Sequence, residues 1–288
     1  LRQMGETAAA VRAGVDIEVH REPVGVVGII TPWNFPMATA AWKIAPALAF
    51  GNAVVFKPAN LVPASAWALT EIISRQGLPN GTFNLVMGSG ADVGEALGQS
   101  ADIDALTFTG SLQTGRRVAV ATAGNLVRCQ LEMGSKNALV VMDDADLELA
   151  VECALNGAFF GTGQKCTASS RLIVCDAIHD RFVEALRLRM RQLKVGHALE
   201  AGVQIGPVAD ARQLEQNLAY LQLAQAEGAT LIEGGERLQL ESDGYYMRPA
   251  LFINSRNDMR INREEVFGPI ACVIRVRDFE EALATLND

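Results

Sequence analysis

Between residues 24 and 142, short runs rich in branched and aromatic residues (VGVVGII, AVVFKP, FNLVMG, ALTFTG and ALVVM) alternate with segments of helical length. That alternation constrains the chain more than any other feature. Strands joined by helices run parallel, and the helices cover the faces of the sheet they connect. The punctuation agrees with this reading. One helix is expected to begin near Pro63, where a proline sacrifices no hydrogen bond, and to stop at Gly77 ahead of LPNG; another is expected from about Ser111 to Thr122, ending near Gly124.

Beyond residue 143 the rhythm changes without breaking. DDADLELAVECALNGAFF places apolar residues at helical spacing, and RLIVC followed by HDRFVEALRLRMRQL repeats strand and helix. Two α/β domains are expected, residues 1–134 and 135–288, with no proline-rich or serine-rich linker between them. A chain of 288 residues with 49% hydrophobic residues has material for two cores. The basic run RLRMRQLK (187–194) reads as a solvated helix face over an apolar stripe.

Charge and cysteine usage narrow the partners. With 33 Asp and Glu against 25 Lys and Arg, the chain offers no electrostatic reason to expect nucleic acid, so small molecules are the expected partners. The apolar runs are far short of a bilayer span, so no membrane partner is expected. Five cysteines, at 129, 153, 166, 175 and 272, are odd in number and scattered, with no CxxC pair. That pattern argues against a disulfide framework or a metal site, and leads to an expectation of a reducing, cytoplasmic setting. Leu1 opens in mid-pattern and Asp288 stops within the helical run FEEALATLND, so a piece of a longer polypeptide is expected.

Three residues invite chemistry. Cys166 follows two glycines and an amide in FFGTGQKCTASSR; it is either a nucleophile or a small core residue, and the polar lining of the motif is poorly suited to a sealed core. Glu132 interrupts the apolar run LEM, either as a solvent-facing residue of an edge strand or as a general base. Asn34 lies between two prolines in TPWNFP, where a rigid amide can donate to a developing oxyanion or cap a turn that carries Trp33 and Phe35 into the core. Lys57 ends a strand in VVFKPAN, and Gly110 and Ser111 join a strand to a helix in FTGSLQTG. Both are places where open α/β sheets bind ligands, and a helix N-terminus suits a pyrophosphate. The glycine spacing is not the dinucleotide fingerprint G-x-G-x-x-G.

TPWNFP, KPAN, FTGS, LEMGSKN, GQKC and EEVFGP occur in an order and at spacings that resemble the NAD(P)-dependent aldehyde dehydrogenase superfamily over essentially the whole chain. The resemblance implies a Rossmann-like, parallel-sheet cofactor domain followed by an α/β catalytic domain, both incomplete. It implies Cys166 as nucleophile, Glu132 as general base and Asn34 as oxyanion donor. Cofactor contacts are implied for Thr31, Trp33, Lys57, Asn60, Gly110 and Ser111, with Lys57 on the adenosine ribose and Glu265 and Phe267 on the nicotinamide riboside. NAD(P) is the implied cofactor, an aldehyde the substrate, and a homodimer or homotetramer the assembly of the longer protein.

Within the superfamily, RCQLEMGSKN, CTASSRLIV and KPANLVPASAWAL resemble the 2-oxoglutarate semialdehyde dehydrogenases most, and Arg171 with Ser169 and Ser170 either meets a substrate carboxylate or is structural, since SSR after the cysteine is widespread in the superfamily. Succinate-semialdehyde oxidation and an inactive relative are the alternatives. Two departures stand out. Ser135 replaces a usual glycine, where a positive φ would strain it. Asn60 stands where many NAD-preferring members carry an acid, so NADP is not repelled there.

Overall fold

The structure, a computed structural model, describes residues 5–288, which divide after Met133 into two units. In the first, an exposed antiparallel hairpin of β1 (Glu6–Ala9) and β2 (Asp16–Val19) precedes β3 (Val26–Ile30), α1 (Ala38–Ala49), β4 (Ala53–Lys57), α2 (Pro63–Ser74) and β5 (Phe83–Leu85). After these come α3 (Glu95–Gln99), β6 (Ala105–Gly110), α4 (Leu112–Ala123) and β7 (Arg128–Met133). The five strands from β3 onward are parallel and ordered β5-β4-β3-β6-β7. This is the doubly wound order, in which the chain reverses direction beside its first strand.

Period-two alternation distributes the core. Val27 and Ile29 pack with Val54 and Phe56 against Ala40 and Ile44 of α1 and Ala66 of α2. Ile30, Leu106 and Phe108 face the other way, toward Val118 of α4. The helix starts follow from the sequence: α2 has proline at its first turn, and Ser111 caps α4 by accepting from Thr114 N at 3.3 Å.

The second unit runs β8 (Ala138–Val141), α5 (Leu147–Ala158), β9 (Arg171–Cys175), α6 (Asp176–Arg191), α7 (Ala211–Ala226) and β10 (Thr230–Glu233). A short hairpin of β11 (Arg237–Leu238) and β12 (Tyr246–Met247) follows, then β13 (Ala250–Ile253), α8 (Arg260–Arg263), β14 (Ile270–Val276) and α9 (Phe279–Asn287). Its sheet is ordered β10-β13-β14-β9-β8, parallel except for β10. All of β9 is buried, as a central strand covered on both faces must be. Leu172 and Val174 meet α5 and α6, and Ile173 meets Ala282 of α9.

Two expectations shift. ALVVM continues the alternation in sequence, yet it is β8 of the second sheet; the fifth strand of the first sheet is RCQLEM, whose polar residues hide its strand character. The helix opened by Pro63 closes at Ser74, and Gly77 follows at φ +73°. The basic run 187–194 does sit over buried Leu186, Met190 and Leu193, with Arg187, Arg189 and Arg191 paired to Glu184, Glu152 and Glu233. No described helix is long and apolar enough to cross a membrane.

Candidate active site

The reversal of strand order falls between β3 and β6, and open α/β sheets bind ligands in the crevice beyond the carboxyl ends of strands at such a point. Most of the cofactor residues expected from the sequence end up there. Thr31 follows the last residue of β3, and its N–H donates to the Lys57 carbonyl at 3.2 Å. Gly110 closes β6, and Ser111 caps the helix after it. Trp33 and Asn34 are half-buried in the turn beyond β3, whereas Phe35 is 42% exposed, which argues against a turn carrying both aromatics into the core.

Two features of this crevice are costly without a ligand. The Thr31 hydroxyl is buried and has no hydrogen-bond partner among the described residues. Lys57 is 4% exposed, and its ammonium meets only the neighbouring Pro58 carbonyl, at 2.9 Å, with no ion pair among the described residues. Burial holds its pKa below the ordinary lysine value. A buried hydroxyl with no partner and a sequestered cation at the ends of adjacent strands suit a hydroxyl-rich, anionic ligand such as a dinucleotide. Asn60 is exposed in the turn after β4.

Glu132 lies on β7, opposite Thr109 of β6, and it is exposed. Leu131 and Met133 turn into the core, so Gln130 and Glu132 share the other face. Gln130 donates to Glu132 Oε1 at 2.7 Å; its own Oε1 receives Lys43 Nζ at 3.1 Å, and Lys43 also donates to Thr107 Oγ1 at 2.6 Å. Burial lowers the pKa of Lys43, and the Glu132 carboxylate partly opposes the shift. Sequence reasoning missed Lys43. The available signal is that it is the sole charged residue of the helix ATAAWKIAPALA.

In the second unit Cys166 is exposed on a loop that several hydrogen bonds anchor. Asn137 Nδ2 donates to the Cys166 carbonyl at 2.6 Å, Lys165 Nζ to the Asn156 carbonyl at 2.7 Å, and Ala209 N to Gln164 Oε1 at 2.8 Å. Residues 161, 162 and 163 all take left-handed backbone, with φ of 67°, 58° and 63°. Gly163 cannot be otherwise: a Cβ there would sit 2.1 Å from the Gly268 carbonyl oxygen. The loop is therefore rigid while its thiol stays open to a reactant.

That contact joins the cysteine loop to the segment carrying Glu265 and Phe267. A cleft of about 10 Å³ lies between them, lined by Ser135, Lys165, Glu265 and Phe267 among others. The Glu265 carboxylate rests on Gly134, where a Cβ would meet its oxygens at 1.9 and 2.0 Å. Burial raises the Glu265 pKa, and Lys136 partly offsets the shift.

Two sequence expectations are corrected. Ser135 does not take positive φ, so the serine carries no strain of that kind. Arg171 is no free anion receptor: it is 8% exposed, and its guanidinium donates to Lys136 O at 3.0 Å, Asn257 Oδ1 at 2.9 Å, Thr285 O at 3.2 Å and Leu286 O at 3.4 Å. It ties α9 to β9.

Residues 1–288 match the aldehyde dehydrogenase family. The chain is 43% identical to the alpha-ketoglutaric semialdehyde dehydrogenase of Bacillus subtilis over 290 residues, covering 100% of this chain and 59% of that protein. It is 41% identical to the betaine aldehyde dehydrogenase of the same organism, over 99% of this chain and 58% of that one. Among solved structures, betaine aldehyde dehydrogenase from Staphylococcus aureus in complex with NAD+ superposes with a TM-score of 0.96 at 39% identity, covering 99% of this chain and 57% of that chain. The chain thus spans rather more than half the length of the relatives it matches, and over that span it belongs to the aldehyde dehydrogenase family.

Proposed function

We propose that this chain belongs to an enzyme that oxidises an aldehyde to the carboxylic acid with reduction of NAD(P)+, through a thioester on Cys166. The observation that carries the reading is the exposed thiol on a loop anchored through its own carbonyl and through Gln164 and Lys165, since a nucleophile must be open to its substrate yet fixed in direction. The Cys166 thiolate attacks the aldehyde carbon, and the oxyanion that forms accepts a hydrogen bond from Asn34. A bound nicotinamide supplies the hydride acceptor. With the hydride gone, Cys166 holds a thioester; Glu132 takes a proton from water, which attacks the acyl carbon, and the C–S bond breaks to release the acid and restore the Cys166 thiolate. Gln130, itself held by Lys43, donates to Glu132 and so favours the carboxylate form that a base must have.

For the cofactor, Thr31, Trp33, Lys57, Asn60, Gly110 and Ser111 line the dinucleotide crevice, and Glu265 and Phe267 hold the nicotinamide riboside. Asn60 leaves NADP+ acceptable alongside NAD+. The substrate is a carboxylate-bearing semialdehyde such as 2-oxoglutarate semialdehyde, a reading supported by similarity to the Bacillus enzyme of that name. The betaine aldehyde dehydrogenases at similar identity give the competing substrate class, a cationic aldehyde. The longer protein would act as a homodimer or homotetramer in the cytoplasm.

Stopped-flow NAD(P)H absorbance tests the roles. Glu132→Gln should keep the first-turnover burst and lose steady-state turnover, while Cys166→Ala should lose both. Equal loss of burst and steady state in the glutamate variant refutes its role in deacylation. Turnover of betaine aldehyde in preference to 2-oxoglutarate semialdehyde refutes the substrate.

A further inference from the structure

Helix α7 carries Leu214, Leu221 and Ala224 into the core, as an amphipathic helix should. It also has a second stripe, Gln213, Gln216, Asn217 and Tyr220, at spacings of three, four and seven residues, hence on one side of the helix. A polar stripe of this kind ordinarily faces water. Here Asn217 is 0% exposed, and the stripe meets the loop 264–268.

Each member makes a defined contact. Gln213 Nε2 donates to the Val266 carbonyl at 3.0 Å and to Asn217 Oδ1 at 3.0 Å. Gln216 Nε2 donates to the same Val266 carbonyl at 3.2 Å. The Tyr220 hydroxyl donates to Glu264 Oε2 at 2.7 Å, and the same carboxylate receives Arg260 Nη2 at 3.0 Å. Asn217 Nδ2 reaches the Met247 sulfur at 3.4 Å, and its amide fills the space over Gly268, where a Cβ would approach it to 2.3 Å. Burial first and the Glu264 bond second push the Tyr220 hydroxyl up to about 12, so it remains a donor at neutral pH.

The loop needs such support. Phe267 has φ of 58°, a left-handed backbone that is costly for a bulky residue and persists only where its surroundings fix it. The described stripe fastens residues 264, 266 and 268, the alternate positions around Glu265 and Phe267. We propose that the polar stripe of α7, centred on buried Asn217, is a positioning device that holds the loop 264–268 in the one conformation that turns Glu265 and Phe267 together toward a nicotinamide riboside. Gln216, Asn217 and Tyr220 are thus positioning residues acting through their neighbours on the loop. This rests on the proposed role of Glu265 and Phe267 in holding that riboside.

The test uses the full-length protein, the single variants Glu265→Gln, Asn217→Leu and Tyr220→Phe, and the double variant of the first and last, with KM for NAD+, KM for the aldehyde, the NADH burst rate and thermal midpoint measured for each. Asn217→Leu keeps the branched outline of the side chain, with bulkier methyl ends, and removes the amide. It should raise the NAD+ KM about tenfold or more and slow the burst, with the aldehyde KM unchanged; Tyr220→Phe should do the same to a smaller extent, about threefold. Adding Tyr220→Phe to Glu265→Gln should then produce little further change, because both act through one loop.

A fall in thermal midpoint with an unchanged NAD+ KM, per active site titrated by burst amplitude, would make the stripe merely structural and overturn the proposal. Should Asn217→Leu fail to fold, Tyr220→Phe and its double variant decide the matter alone. If Glu265→Gln itself leaves the NAD+ KM and burst unchanged, the riboside reading fails. If Glu265→Gln changes them while the α7 variants do not, only the positioning proposal fails.

Discussion

Replacing Arg171 by methionine keeps an unbranched apolar stem and deletes the guanidinium. Two acceptors then lose close donors, Lys136 O at 3.0 Å and Asn257 Oδ1 at 2.9 Å, whereas Thr285 O keeps the Asn257 amide at 3.1 Å and the Leu286 contact is long at 3.4 Å. Hydrogen bonds from a charged donor contribute roughly 1.5–3 kcal/mol each, so the gross loss is about 3–6 kcal/mol. Part of that is returned, because burial and then Arg263 already disfavour the charged form and lower the Arg171 pKa. A net loss of about 3 kcal/mol is expected, on the order of a hundredfold in the local opening equilibrium.

The assay must see the right region. All three tryptophans, 33, 42 and 67, lie in the first unit, so indole fluorescence does not report on Arg171. Amide hydrogen exchange in the peptides covering β9 and α9 does. Exchange there within about threefold of the parent, on the scale of local opening equilibria, together with a raised KM for carboxylate-bearing but not for uncharged aldehydes, would refute the structural assignment and return Arg171 to substrate recognition.

Native-state alkylation followed by peptide mapping should label Cys166 first and the exposed Cys129 and Cys153 after it, while sparing buried Cys175 and Cys272. Cys272 is protected twice, since burial also pushes its thiol up to about 12; early labelling of it would count against the packing described. Lys136 is brought down from 10.5 to about 8, chiefly by burial. Its cost to folding is therefore complete below about pH 8 and is relieved as pH rises to 10.5, because the unfolded chain holds the proton longer. Unfolding free energies of the parent relative to Lys136→Met should accordingly move in the parent's favour across that interval, and a flat difference would refute the shift. Asn60→Glu should move the NAD+ to NADP+ ratio of kcat/KM about tenfold toward NAD+, or about 1.4 kcal/mol, and an unchanged ratio would place residue 60 away from the ribose 2′ position.

The sequence by itself determined the parallel, helix-covered architecture, because strand and helix periodicities are local properties of side-chain direction. It also singled out Cys166, Glu132 and Lys57 as candidates, since unusual residue types in apolar or glycine-rich settings are visible without contacts. Tertiary structure alone decided the rest. RCQLEM is a strand because Leu131 and Met133 find a core on one side while Gln130 finds Lys43 on the other, and neither partner is near in sequence. Arg171 is structural because its acceptors lie as far as 115 residues away. Gly134 and Gly163 are required because Glu265 and Gly268, more than a hundred residues later, occupy the space a Cβ would take. Periodicity records which face a residue presents, but which distant group meets that face is fixed only when the chain closes on itself.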